Sequence, residues 1–514
     1  AIFEHLQGWP AVNVGEARIA LKLEQSLFKY MAVSDSLQRT MPSQIDLNKG
    51  QPLAYREATL LSNPRNAELK GEVDDKYMYS MDNRDSHVHG WISSKSGTGF
   101  WVITPSDEFR AGGPVKPELT SHAPGTSLAA FFSSHYAGPD FGVKLKDGEA
   151  WKKVFGPVLV YLNSDDSAGG GGGGGKALWE DAKRQMNEET RKWPYDFPSS
   201  PDFPRRHERG SVTGRFLISD WFVDSNDFPA KGANVGLASP GKMGSWQSES
   251  KGYQFWAVAD EQGNFTITGI RPGTYSLHAW VPGFPGDYKY QRDIVISSGK
   301  HEILGDLIYS PPRNGPTLWE IGYPDRSAAE FFVPDPDPAL ANKLFLNRRE
   351  HKYRQYGLWD RYTDYFPTRD LIYTVGASDY AKDWWYAHLN RRIDRGNGTA
   401  EYAAATWTVE FDLNEVDVAG LYILRIALAS TNSANLQVWV NNPNAAEASP
   451  FMTGRTGRGN AIARHGIHGQ YLFYSMEIAG SQLRKGRNAI YFKQTIVLNP
   501  FNGILYDYIR LEGP

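Results

Sequence analysis

The sequence predicts an all-β protein built from several domains. Short apolar or alternating runs recur along the whole chain, and each reads as a strand rather than a helix. Between them fall many of the 51 glycines and 31 prolines, which set tight turns. Aromatic residues make up 13% of the chain, and such residues suit pleated, half-buried surfaces. A length of 514 residues exceeds one ordinary domain.

In chain order, residues 17–23, 28–33, 99–104, 128–132 and 157–162 read as strands of a first domain, 1–206. A seven-glycine run, Gly169 to Gly175, reads as a loop tip. Lys176 to Thr190 is the best helix in the chain, and a proline-rich strap, Pro194 to Pro204, closes the unit. A second domain, 207–312, holds strands at 209–218, 233–238, 263–269, 273–280 and 294–296, with an extended stretch to Tyr309. Many short strands in so small a domain suggest an immunoglobulin-like or fibronectin-like sandwich. Beyond Pro311-Pro312, a third domain, 313–514, carries strands at 406–413, 420–428, 436–440, 488–492 and 505–511. A jelly roll of the carbohydrate-module type is expected there.

A net charge of -3 and a pI near 6.5 argue against a nucleic-acid partner. The chain has no cysteine, which excludes disulfides, thiol nucleophiles and thiolate metal sites. No run of 18 apolar residues occurs, so no membrane span is expected. Ala1-Ile-Phe-Glu-His5 lacks the basic start and apolar stretch of a signal peptide, and the chain does not begin with Met. A mature product or a fragment is expected.

Two polar islands stand out in the first third. Glu72-Val-Asp-Asp-Lys-Tyr-Met-Tyr-Ser80 offers Lys76 amid aromatics. The second runs from Phe109-Arg-Ala-Gly-Gly-Pro114 to Phe131-Phe-Ser-Ser-His-Tyr-Ala-Gly138, and offers His135 and a glycine turn. A lysine and a histidine can serve as base and acid if the fold brings them together. Read as a strand, residues 74–80 would place Asp74, Lys76 and Met78 on one face, with Tyr77 and Tyr79 opposite. Lys76 could equally be a surface lysine paired with Asp74 or Asp75, and His135 a hydrogen-bonded structural histidine. Asp74, Asp75, Asp107 and Glu108 leave open a glycoside hydrolase, which needs two opposed carboxylates. His87-Val-His89 has the spacing of two ligands on one strand face, but no third ligand is evident, and His465 and His468 lie in a loop-like stretch. Asp335-Pro-Asp337 is an acidic turn rather than a full calcium loop. Asn397-Gly-Thr399 is a glycosylation sequon.

Four stretches resemble the rhamnogalacturonan lyases of polysaccharide lyase family 4, in the plant and plant-associated bacterial branch. They are Glu4-His-Leu-Gln-Gly-Trp-Pro10, Gly71 to Ser80, Ile103 to Val115 and Trp151-Lys-Lys-Val-Phe-Gly-Pro157. The resemblance spans essentially the whole chain. It implies a mutarotase-like β-sandwich, a fibronectin type III-like domain and a C-terminal jelly roll of carbohydrate-binding type. The first domain would then start in mid-sandwich, so a truncated N-terminus with an open sheet edge is expected.

The resemblance also implies the chemistry: endolytic cleavage of the rhamnogalacturonan I backbone of pectin at galacturonate by β-elimination. The family's catalytic lysine falls on Lys76 and its catalytic histidine on His135. Arg18 matches an arginine that binds the substrate carboxylate, and Lys22 replaces a second arginine. Arg110, Gly112 and Gly113 are expected to line the cleft. Phe131 and Phe132 stand where fungal members have tyrosines, so Tyr79 or Tyr136 is expected to take any hydroxyl role. No catalytic metal is implied, and a structural calcium in the C-terminal domain is an analogy with such modules. The expected protein is a secreted monomer whose partner is pectic polysaccharide. A non-catalytic pectin-binding protein is the alternative from a different class.

Overall fold

The computed structural model describes residues 1–514 except 55–56, 94, 166–173, 397–398 and 443–450. Most of the glycine run and of the sequon therefore lies outside the described residues. Strands dominate, and among the described residues the single long helix is Gly174–Lys192. Among the described residues no helix is long and apolar enough to cross a membrane.

In the N-terminal part, an antiparallel five-stranded sheet runs in the order Leu159–Ser164, Thr98–Ile103, Val88–Ser93, Tyr30–Ala32 and Gln38–Thr40. The helix covers one of its faces through Leu178, Trp179 and Ala182, which pack on Ile92 and Trp101. A second, three-stranded sheet is made of Ser121–His122, Thr126–Ser133 and Glu16–Lys22. Here Arg18 lies opposite Ala130 and Lys22 opposite Thr126.

The middle part is two facing sheets. One centres on Gly210–Ile218, flanked by Phe228–Pro229, Asn264–Ile270 and a parallel His301–Tyr309. The other centres on Asn234–Ala238 and Gly273–Val281. Val212, Phe216, Val235, Leu237, Ile267 and Leu277 close the core between them.

The C-terminal part repeats this plan with a six-stranded sheet around Leu421–Ala434 and Gly503–Glu512, and a five-stranded sheet around Thr406–Leu413 and Gly486–Gln494. In Thr406–Leu413 the residues Trp407, Val409, Phe411 and Leu413 are buried while Thr406, Thr408, Glu410 and Asp412 are not, the two-residue period of a half-buried strand. This part does not stand alone. Met31, Val33, Leu37, Met78, Tyr79 and Trp91 share one apolar core with Phe345, Tyr356 and Leu358. That shared core fixes the C-terminal part against the segment that carries Lys76.

Candidate active site

Lys76 owes its position to a change of backbone period. The chain enters as a strand, Val73–Asp75, and then tightens into a 3-10 turn, Lys76–Tyr79. The Asp75 carboxylate causes the switch by accepting from the Tyr77 N–H at 3.0 Å. The expected strand with Asp74, Lys76 and Met78 on one face is therefore corrected. The turn buries Tyr77, Met78 and Tyr79 and leaves the Lys76 side chain 27% exposed.

Other cations gather around it. In Glu16–Lys22 the alternate residues Glu16, Arg18 and Lys22 share a face. Beyond the bulge between Ala130 and Phe132, the partner strand delivers His135. The rings of Tyr77 and His135 lie 6.0 Å apart. The Lys76 ammonium sits 5.0 Å from the Tyr77 ring centre, and the Arg464 guanidinium 3.8 Å from it. Glu57 joins the group, 4.0 Å from Lys76 and 3.1 Å from Arg464. Glu16 holds Arg18 at 2.6 Å and lies 3.6 Å from the His135 Nε2. Ser133 Oγ lies 2.7 Å from the His135 Nδ1.

This crowding sets the protonation states. Burial lowers the Lys76 pKa; Glu57 opposes the shift, while Arg464 and Arg18 add to it. Burial pushes His135 down to about 4, and Lys76, Arg18 and Arg464 push in the same direction. His122 is lowered by burial and by Lys76, Arg18 and Lys22, which places it in the same field. The arrangement can attract a carboxylate, and it holds an imidazole neutral at ordinary pH beside a lysine whose proton is easier to remove than usual.

Several expected site residues lie elsewhere. Arg110 is buried, bonding Ser86 Oγ at 2.6 Å, the Asn83 carbonyl at 3.2 Å and Asp107 at 3.0 Å. Gly112 and Gly113 adopt φ of +82° and +69°, and a Cβ on Gly113 would strike the Trp246 ring at 2.6 Å. Gly113 thus packs on the seam with the middle part, while a Cβ on Gly112 would meet the side chain of Lys116, a cation in the field of His135. Tyr79 is wholly buried, donating to Asp74 at 2.6 Å. Tyr136 is buried as well, donating to the Tyr77 carbonyl at 3.0 Å. Tyr136 packs against Tyr77 with ring centres 5.5 Å apart, Tyr79 packs towards Asn342 and Phe345, and neither faces solvent.

The carboxylates that kept a hydrolase open are each engaged internally. Asp74 bonds Tyr79, Asp75 bonds His465 at 3.0 Å, Asp107 pairs with His87 at 3.2 Å, and Glu108 pairs with Arg209 and Arg271. His89 is buried, with its Nε2 2.8 Å from the Leu128 carbonyl, and so does not join His87 as a ligand pair. His468 pairs with Asp82 at 3.2 Å. Among the described residues no three histidine, aspartate or glutamate side chains come close enough together to hold a metal ion.

Glu16, Glu57, His122 and Arg464 were missed by sequence reasoning. Glu16 could have been found from its two-residue offset to Arg18 on one strand. Nothing in the sequence links Arg464 to Lys76.

Residues 317–511 match the model of polysaccharide lyase family 4, domain III, and residues 230–304 that of domain II of the same family. Residues 1–73 match the rhamnogalacturonate lyase family. The chain belongs to polysaccharide lyase family 4. The lyase is 25% identical over 510 residues to a rhamnogalacturonate lyase of Dickeya dadantii, covering 98% of this chain and 75% of that one. It is 24% identical over 517 residues to a probable rhamnogalacturonate lyase B of Aspergillus niger, covering 93% and 68% respectively. Among solved structures, a family 35 carbohydrate binding module from Clostridium thermocellum aligns with 25% of the lyase and 88% of its own chain, at 16% identity and a TM-score of 0.14.

Proposed function

We propose that the lyase cleaves the rhamnogalacturonan I backbone of pectin at galacturonate, acting within the chain and outside the cell. The observation that carries this is the cluster of Lys76, Arg18 and Arg464 around His135, in a chain whose relatives are named rhamnogalacturonate lyases. The substrate carboxylate would sit among these cations. There they oppose the build-up of negative charge when the C5 proton leaves. Arg18 suits a carboxylate because its fork meets both oxygens. Lys76 removes the C5 proton, the freed pair forms the C4–C5 double bond, and the C4–O bond breaks. His135 protonates the departing glycosidic oxygen.

The depressed pKa of His135 favours a second reading with the roles exchanged. A neutral imidazole is ready to accept the C5 proton, and protonated Lys76 would then serve the leaving oxygen.

The deciding experiment incubates the protein with rhamnogalacturonan I and, separately, with homogalacturonan, following ultraviolet absorbance. Absorbance from unsaturated uronate ends is expected with the first substrate only. Shortened chains without absorbance would indicate a hydrolase, and binding without shortening a pectin-binding protein.

A further inference from the structure

One loop of the C-terminal part reaches into the Lys76 site. Residues 458–465 lie against the N-terminal part at several points. Arg458 pairs with Asp140, its Nε 3.1 Å from Oδ2. The Asn460 N–H donates to the Tyr136 carbonyl at 2.6 Å, and the Asn460 side-chain amide to the His135 carbonyl at 3.1 Å. His465 Nε2 lies 3.0 Å from Asp75 Oδ2, next to Lys76 in sequence. The backbones touch here, since a Cβ on Gly138 would lie 2.0 Å from the Arg458 carbonyl oxygen. The 3-10 turn Ile462–Arg464, ended by His465 at a φ of +54°, then aims Arg464 at the Tyr77 ring.

Glu57 is the group on which Arg464 acts. Its Oε2 is 3.1 Å from Arg464 Nη1, and its Oε1 is 4.0 Å from Lys76 Nζ. The guanidinium is charged at all working pH values, so it takes the nearer place beside the carboxylate. Lys76 is left at the outer limit of ion pairing. Without Arg464, the charge of Glu57 would be directed at Lys76 alone and would hold its proton in place. Arg18 and Asp75 also act on Lys76, and Lys116, which acts on His135, and Glu118, which acts on Glu16, belong to the same cluster. Glu16, His122 and His135 lie in the same field.

We propose that Arg464, supplied by the C-terminal part, is a positioning residue of the active site that holds Glu57 off Lys76 and so keeps the lysine able to lose its proton. The consequence for turnover rests on the reading of Lys76 as base; the effect on Lys76 itself does not.

The test reads Lys76 directly. The rate of its acetylation by acetic anhydride, followed by peptide mass spectrometry across pH, reports the neutral amine whether or not the enzyme turns over. In Arg464→Ala the midpoint is expected to rise by roughly one pH unit, and Glu57→Gln added to that variant should return it to or below the parent value. Arg464→Lys keeps a charge without the planar fork and should shift the midpoint less, in the same direction. The acid limb of kcat/KM should move with the acetylation midpoint. An Arg464→Ala protein that loses activity with an unmoved Lys76 midpoint overturns the proposal, as does failure of Glu57→Gln to reverse the shift. Should Arg464→Ala not fold, Glu57→Gln alone decides: a lowered midpoint supports the proposal and an unchanged one refutes it. If the midpoints move as expected while Lys76→Ala still turns over, the base assignment falls and the tuning stands.

Discussion

The Nε2 of His135 lies 3.6 Å from the Oε2 of Glu16, yet His135 is held neutral down to about pH 4. Burial and four cations, Lys76, Arg18, Arg464 and Lys116, outweigh the one carboxylate. Below about pH 4 the imidazole is charged, and above it neutral. A bound galacturonate carboxylate would offset Lys76, Arg18 and Arg464, so binding should raise this pKa. Histidine NMR is expected to show a His135 midpoint near 4 in the free protein and a higher one with a galacturonate-containing oligosaccharide, with proton uptake on binding by calorimetry. A midpoint that stays near 4 in the complex would leave His135 an acceptor and favour the exchanged roles.

Lys76 and His135 should fail separately. Lys76→Ala is expected to remove nearly all turnover and leave substrate binding largely intact. His135→Ala should reduce turnover by about 10²–10⁴-fold, the usual range for a general acid or base. A substrate with a better leaving group needs less help at the glycosidic oxygen. It should rescue His135→Ala and not Lys76→Ala; rescue of Lys76→Ala alone would exchange the two assignments.

The strands were legible because burial follows a period of two, as in Thr406–Leu413, and the helix because it buries one face through Leu178, Trp179 and Ala182. Arg18 and Lys22 lie on the expected strand, Arg18 in the field of Lys76 and His135 and Lys22 in that of His122. The local path at Lys76 was not legible, because whether the Asp75 carboxylate caps Tyr77 or faces outward depends on what surrounds it. Tyr79 and Tyr136 show the same limit: an aromatic side chain reads alike in a core and in a sugar site. Gly113 read as cleft because Trp246, on which it packs, belongs to the middle part of the chain, and Arg110 because its bonds to Ser86 and the Asn83 carbonyl are made to a distant stretch of sequence.

The proposed mechanism takes its positive charge from side chains, which has a consequence for metal dependence. With Lys76, Arg18 and Arg464 around the carboxylate position, activity is expected to survive chelation of calcium. Ultraviolet turnover assays with and without a chelator check this. Complete loss on chelation, restored by added calcium, would mean that a bound cation supplies the positive charge. Loss of thermal stability with the rate per folded molecule retained would instead place calcium in the C-terminal part as a structural ion.

Glu108 ties the N-terminal part to the middle part through charge. Its Oε2 lies 2.5 Å from Arg209 Nη1 and its Oε1 3.0 Å from Arg271 Nη2, with side-chain exposures of 1% for Glu108, 1% for Arg209 and 7% for Arg271. Arg209 also lies over Trp193 and Phe203, and Arg271 over Tyr253 at 4.1 Å. Two guanidiniums buried this deeply depend on one carboxylate. Glu108→Gln keeps the shape and removes the charge, leaving both cations without their counter-ion, at a cost of about 3–5 kcal/mol. Replacing all three residues by apolar ones of similar size should cost much less, because no charge is then stranded. Denaturant midpoints followed by tryptophan fluorescence should therefore fall sharply for Glu108→Gln and recover in the triple variant. A Glu108→Gln protein that unfolds at the parent midpoint would mean that the seam is held by its aromatic packing and not by the ion network.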